Sequence, residues 1–319
     1  MKIITAEDVG RLLTYRDLVE ALRATFAEGV SAPTRHHHTI ARTSGADGTL
    51  LLMPAWTGDG SGPEKSYLGV KIVTVNPDNN LAGQPAVMGV FMLADGTTGE
   101  PLAVIDGQAL TVWRTACASA LAADYLARED ASSMVMVGAG KLAPHLVRAH
   151  AAVRPIREVA IWNRSPEKAE ALAASLREEG LNVTATGDLE TAVAAADVVC
   201  AATISSEPLI KGRWLAEGAH LDLVGAFTPK LRECDDDAVR RARLFVDTFD
   251  GALAEGGDLV QPLRDGVIAR DDIEADLAML ARGDHSGRGA KGEITLFKST
   301  GTALEDLAAG CLVYEKAIA

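Results

Sequence analysis

The chain has 319 residues, long enough for two folded cores on the usual size of a single domain. It carries 44 Asp and Glu against 31 Lys and Arg, a net charge of −13, and so acidic a surface repels nucleic acid and anionic membrane as general partners. An apolar fraction of 48% can build sizeable cores, but no run reaches the roughly 18 residues that span a bilayer.

The opening MKIITAEDVGRLL has no long apolar stretch behind its single Lys, so a soluble, cytoplasmic protein without an export signal is expected. Next, TAEDVGRLL and TYRDLVEALRATFAEG each place a Thr three residues ahead of an Asp, the pattern of a capping box that opens an amphipathic helix. Leu18, Leu22 and Phe26 share one helical face. From about 35 to 110 the pattern turns to short β-type runs (LLLMPAW, YLGVKIVTV, VMGVFML, PLAVIDG) broken by Gly, Pro, Asn and Asp, with ADGTTGEP as a hairpin turn. This first third reads as an α+β unit dominated by antiparallel strands. The RHHHT run at its start makes a poor metal site, because neighbouring residues of a strand point to opposite faces. The four cysteines, Cys117, Cys200, Cys234 and Cys311, form no CxxC pair either. Reduced structural thiols and no metal are expected.

Beyond residue 115 the rhythm becomes strand, helix, strand, helix. SSMVMVGAG enters a glycine turn, LAPHLVRAHAAV is a helix, EVAIWN a strand, and SPEKAEALAASLREEG a helix with Ser165 as N-cap and Pro166 at its first position. DVVCAAT, HLDLVGAF and RLFVD continue the series. Apolar strands alternating with helices predict a doubly wound parallel sheet.

In MVMVGAGKLAPH, Gly138, Gly140 and Ala143 give G-x-G-x-x-A between a strand and a helix. The first Gly allows the tight turn, the second lets backbone approach a pyrophosphate, and the helix N-terminus attracts its charge. About twenty residues on, where such folds place an Asp or Glu for the ribose hydroxyls, stand Asn163, Arg164 and Ser165. A carboxylate there would accept from the 2′-hydroxyl of NAD and repel the 2′-phosphate of NADP, whereas Arg164 can pair with that phosphate and Asn163 and Ser165 can donate to it. NADP(H) is therefore the expected cofactor, with NAD(H) as second choice.

Together, VGAGKLA, IWNRSPEKAE, RTACASALAADYLA, GVKIVT, VGAFTPKLRE and LFKSTGTALEDLAA resemble the ornithine cyclodeaminase and mu-crystallin family, in the right order and along the whole chain. The resemblance implies a Rossmann domain (115–298) inserted into an α+β substrate-binding and dimerisation domain (1–114 plus 299–319), hence a homodimer. It implies a carboxylate-binding set of Arg35, Lys71 and Arg114, with Glu255 as an acid near the ligand. It extends the nucleotide site to Arg114, Thr115, Lys141, Leu142, Thr203, Val224, Gly225 and Ser299. Three cations converging on one pocket call for an anion, and the α-carboxylate of an imino or amino acid serves. Lys71 can also donate a proton to an imine nitrogen.

Two positions depart from the cyclodeaminases of the family. Their catalytic Asp lies two residues before the Pro of VGAFTP, and Phe227 stands there in this chain. Ala86 replaces a hydroxyl residue that relatives often carry near the substrate. The expected function is an NAD(P)H-dependent reductase of a cyclic imino acid, foremost Δ1-pyrroline-2-carboxylate to L-proline. The alternatives are an ornithine cyclodeaminase, an alanine dehydrogenase-like enzyme and a mu-crystallin-like ligand-binding protein.

Overall fold

The computed structural model describes residues 1–58 and 66–319. The chain divides into two compact units, Met1–Thr115 with Thr302–Ala319, and Ala116–Gly301.

The first unit opens with strand β1 (Lys2–Ile4) and helices α1 (Ala6–Leu12) and α2 (Tyr15–Glu28). Thr5 and Asp8 complete the capping box of α1, and the Thr14 side chain accepts from the Asp17 amide at the start of α2. Leu18, Leu22 and Phe26 are buried along one face of α2, as the helical spacing dictates. Strands β2 (His36–Ile40), β3 (Gly48–Trp56), β4 (Tyr67–Val75), β5 (Val87–Asp95) and β6 (Pro101–Asp106) follow. They form a six-stranded sheet in the order β1-β6-β5-β4-β3-β2, antiparallel except for β1 against β6. Helix α3 (Gly107–Leu126) carries the chain across the boundary between the units.

The second unit contains β7 (Ser133–Val137), α4 (Ala143–Val153), β8 (Glu158–Trp162), α5 (Pro166–Glu178), β9 (Val183–Ala185), α6 (Leu189–Ala195), β10 (Val198–Ala201) and β11 (His220–Leu223). It continues with α7 (Asp236–Arg241), β12 (Ala242–Val246), α8 (Phe249–Glu255), α9 (Gly257–Arg264), β13 (Ile273–Asp276), α10 (Leu277–Arg282) and β14 (Ile294–Lys298). Its eight strands are all parallel, in the order β13-β12-β14-β11-β10-β7-β8-β9. Every residue of β10, β11 and β14 is buried, as expected of strands covered by helices on both faces. From β7 the chain winds outward through β8 and β9, then returns to the other side of β7 at β10. That reversal opens a crevice at the carboxyl ends of β7 and β10, where doubly wound folds bind ligands.

The last helix, α11 (Ala303–Ile318), returns to the first unit and packs on α2 and on β3, β4 and β5. Two glycines set how closely it lies. A Cβ at Gly69 on β4 would come 2.2 Å from Phe91 Cζ, and one at Gly310 on α11 would come 2.3 Å from Phe91 Cε1. Phe91 therefore fills the space that two missing side chains leave between sheet and helix.

Candidate active site

The packing around Phe91 places the first chemical cluster. Lys71 lies two residues from Gly69, hence on the same face of β4, and Asp306 lies one helical turn before Gly310 on α11. Lys71 Nζ is 2.8 Å from Asp306 Oδ1 and Oδ2. Arg114, from α3, donates through Nε to Asp306 Oδ1 at 3.1 Å and through Nη1 to Glu305 Oε2 at 2.5 Å. All four side chains are buried. Burial lowers the Lys71 pKa to about 8, with Asp306 opposing that shift and Arg114 and Arg35 reinforcing it.

The structure thus brings Lys71 and Arg114 together, and Arg35, half-buried just before β2, acts on Lys71 electrostatically. It also corrects the argument from charge. Two carboxylates of the chain's own, Glu305 and Asp306, pair with the cations, so an external anion is not the sole means of compensating them. The sequence reading missed both. Acidic residues in a first helical turn are ordinary companions of the helix dipole, and the signal that finds them is the need of buried cations for partners within the fold.

The second cluster lies in the Rossmann unit. Gly138 follows β7 with φ +113, and a Cβ there would come 2.7 Å from the Ala202 carbonyl oxygen. At exposed Gly140 a Cβ would meet no protein atom within 4 Å. Ala143, the last position of the motif, is buried at the start of α4, and Leu142 at its N-cap provides no side-chain hydrogen bond. The Ala143 amide donates to the Gly140 carbonyl at 3.1 Å and Pro144 has no N–H, so phosphate binding here rests on the open backbone at Gly140 and the positive end of α4, and the turn fits a dinucleotide. Lys141 is exposed beside it and Leu142 half-buried. Thr203 follows β10, Val224 and Gly225 follow β11, and buried Ser299 follows β14, all at carboxyl ends of strands. Thr115 is buried on α3 in the first unit, and Glu255 is half-buried at the end of α8 in the second.

The turn after β8 needs a correction of its own. Asn163 Oδ1 accepts from the Ala139 amide at 3.2 Å and its Nδ2 donates to the Ser165 carbonyl at 3.0 Å, tying this turn to the glycine turn. Ser165 caps α5 by position, yet its Oγ donates to Glu167 at 2.7 Å instead of binding a helix amide. Both residues are committed to the loop, which leaves exposed Arg164 as the phosphate-reading candidate. Glu167 brings a carboxylate to the same turn.

The four cysteines are free thiols. Among the described residues, one group has the spacing of metal ligands: His150, Cys200 and Asp222, with donor atoms within 4.8 Å of one another. Asp222 Oδ1 accepts from Ser119 Oγ at 2.9 Å and Oδ2 from Cys200 Sγ at 3.0 Å. Burial pushes the Cys200 thiol pKa well up and raises that of Asp222, so the thiolate that a metal requires is disfavoured. The group reads as a buried hydrogen-bond network. Exposed His36, His37 and His38 lie on β2.

The family model for ornithine cyclodeaminase and mu-crystallin matches residues 1–319. The chain belongs to this family. Among curated relatives, a Δ1-pyrroline-2-carboxylate reductase of Colwellia psychrerythraea is 36% identical over 320 residues, which cover 99% of each chain. Among solved structures, the Δ1-pyrroline-2-carboxylate reductase of Thermococcus litoralis in complex with NADH and L-proline is 33% identical with a TM-score of 0.92. That likeness covers 100% of this chain and 98% of the other. An archaeal alanine dehydrogenase dimer with bound NAD is 30% identical with a TM-score of 0.90, over 100% of this chain and 96% of that one. Family and fold class are as the sequence resemblance implies.

Proposed function

We propose that this chain is an NAD(P)H-dependent reductase of cyclic imino acids, with Δ1-pyrroline-2-carboxylate as substrate and L-proline as product. The observation that carries the reading is the buried Lys71–Asp306–Arg114–Glu305 cluster in a chain whose relatives reduce this imine. When bound, the nicotinamide supplies the hydride that reduces the C=N carbon. The chain's part is to hold the carboxylate with Arg35, Lys71 and Arg114 and to provide the proton that the imine nitrogen takes up. Lys71 suits that role, because burial lowers its pKa to about 8, where it is still largely protonated at neutral pH and yet a stronger acid than an ordinary Lys. Arg114 presents a planar fork for a carboxylate. Glu255 is the weaker member of the set, resting on the resemblance alone.

Phe227 favours reduction over cyclodeamination. It is 49% exposed on the loop after β11, at the position where cyclodeaminases keep their Asp, and a phenyl ring can neither take a proton nor balance an ammonium. Arg164 favours NADP(H), and Glu167 on the same turn opposes it, so both cofactors belong in the assay. A second copy of the chain is the proposed partner. Ile72 on β4 and Val90 on β5 face each other across the strands, both exposed, and such an apolar sheet face calls for a cover.

The test is oxidation of NADPH and NADH against a panel of cyclic and open-chain imino acids across pH. Δ1-pyrroline-2-carboxylate is expected to be the best substrate. Its rate should fall as pH rises through about 8, because a raised pH strips Lys71 of the proton that reduction needs. Preference for an open-chain imine with ammonia would move the chain to the alanine dehydrogenase-like reading. Tight ligand binding without turnover of any imine would favour the mu-crystallin-like one.

A further inference from the structure

Glu233 has no place in the reading so far, yet it lies at the junction of the loops that border the crevice. It is fully buried. Its Oε1 accepts from the Thr203 amide at 2.6 Å and the Thr203 hydroxyl at 2.8 Å, and its Oε2 accepts from the amides of Gly225 at 2.7 Å and Ala226 at 3.3 Å. Four donors thus converge on one carboxylate, two from the loop after β10 and two from the loop after β11. The loops nearly touch, since a Cβ at Gly225 would come 1.9 Å from the Thr203 carbonyl oxygen. Glu233 is itself held from behind, its amide donating to Asp258 Oδ1 at 2.7 Å, while Lys298 Nζ sits 3.2 Å from Asp258 Oδ2.

A buried carboxylate is a poor choice for stability alone, because the desolvation cost often exceeds what its partners return. Its use is to satisfy several amide donors in one fixed arrangement. We propose, on the dinucleotide reading above, that Glu233 is a positioning residue for the nucleotide: its ionised carboxylate clamps the loops after β10 and β11 in the spacing that the cofactor requires. Thr203 and Gly225 then reach the cofactor in a geometry that Glu233 sets without touching it.

The clamp has a chemical weakness. Three of the four partners are amides that can only donate, so a proton on Oε2 sets O–H against the N–H groups of Gly225 and Ala226 and one on Oε1 sets it against the Thr203 amide, with only the Thr203 hydroxyl able to turn and accept; the hold on a loop weakens. The groups facing Glu233 are Asp258 on α9, Lys298 on β14 and Cys200 on β10. Burial first and Asp258 second raise its pKa to about 7, against the opposing pull of Lys298 and the Thr203 donors. Burial and Asp258 thus make the carboxylate easier to protonate than an ordinary Glu, and acid releases the clamp.

The experiment is a fluorescence titration of full-length protein with NADH between pH 6 and 8.5, for wild type and Glu233→Gln. Wild-type Kd is expected to be constant above about pH 7.5 and to rise as pH falls through about 7. The amide variant, with two donors of its own facing donors, should bind NADH roughly tenfold or more weakly at pH 8 and show no step. A role in folding alone would lower Tm and leave Kd and its pH step as in wild type. Glu233→Gln with a Kd within about twofold of wild type at pH 8, or a wild-type Kd with no step near pH 7, overturns the clamp. The wild-type titration decides the matter by itself if the variant does not fold. Absence of NADH and NADPH binding by wild type at every pH overturns the dinucleotide reading and the clamp with it, an outcome distinct from binding that ignores Glu233.

Discussion

Arg114→Ala is expected to abolish turnover and to lower stability by about 3–5 kcal/mol, the usual cost of removing one partner of a buried ion pair. Considered from sequence, three cations repel one another in an empty pocket, and removing one should relieve strain. The structure reverses that expectation. Arg114 compensates Glu305 and shares Asp306 with Lys71, so its loss leaves buried carboxylates short of charge. Lys71→Met is the cleaner probe, because it keeps much of the side-chain volume and Asp306 retains Arg114. Removing a general acid costs 10²–10⁴ in rate as an order of magnitude, and the Met variant should lose about that much while binding NADH as wild type does. Thermal melts and kcat/KM measured together separate the two effects. A folded Lys71→Met enzyme with the wild-type rate would take Lys71 out of the chemistry, and an unchanged Tm in Arg114→Ala would show that Glu305 and Asp306 find other compensation.

The second large effect is expected at Arg164. A charge-assisted contact to phosphate contributes about 1.5–3 kcal/mol, or roughly ten- to more than a hundredfold in the ratio of kcat/KM for NADPH over NADH. Arg164→Asp should reverse that ratio, since a carboxylate accepts from a ribose hydroxyl and repels a 2′-phosphate. Asn163 and Ser165 are engaged within the turn, so they offer little compensation. Glu167 supplies the counter-argument in the same loop, and its replacement by Gln should raise the NADPH preference further. Equal use of both cofactors by wild type, with no change in Arg164→Asp, would remove Arg164 from cofactor choice.

What could be read from the sequence follows the strength of each local signal. The Thr5 and Asp8 capping box, the strand and glycine turn at 133–140 and the helix opening at Ser165 and Pro166 are short-range patterns, and each element stands where the pattern puts it. Strand β14 is not read as a strand from sequence, because ITLFK carries no alternation. All five of its residues are buried, Lys298 included. Strands β9 and β13, of three and four residues, are too short to show a period. Helix α3 is apolar on nearly every side along its second half, so periodicity does not mark it. The pairing of Lys71 with Asp306 joins positions 235 residues apart, and the convergence on Glu233 depends on which loops the sheet order makes neighbours. Neither is written in any window of sequence. Where the reading erred, it counted the cations of the site and not the acids that the same fold delivers to them.

The central claim, hydride transfer to a cyclic imine, is tested most directly by following the hydrogen. Wild-type enzyme supplied with Δ1-pyrroline-2-carboxylate and nicotinamide cofactor deuterated at C4 on the transferring face should give proline carrying one deuterium at Cα, with one cofactor oxidised per proline formed. The same enzyme given L-ornithine and saturating NAD should release no ammonia, because Phe227 stands where cyclodeamination needs a carboxylate. Proline and ammonia formed in equal amounts from ornithine, with no net change in cofactor absorbance and no reduction of the imine, would contradict the assignment.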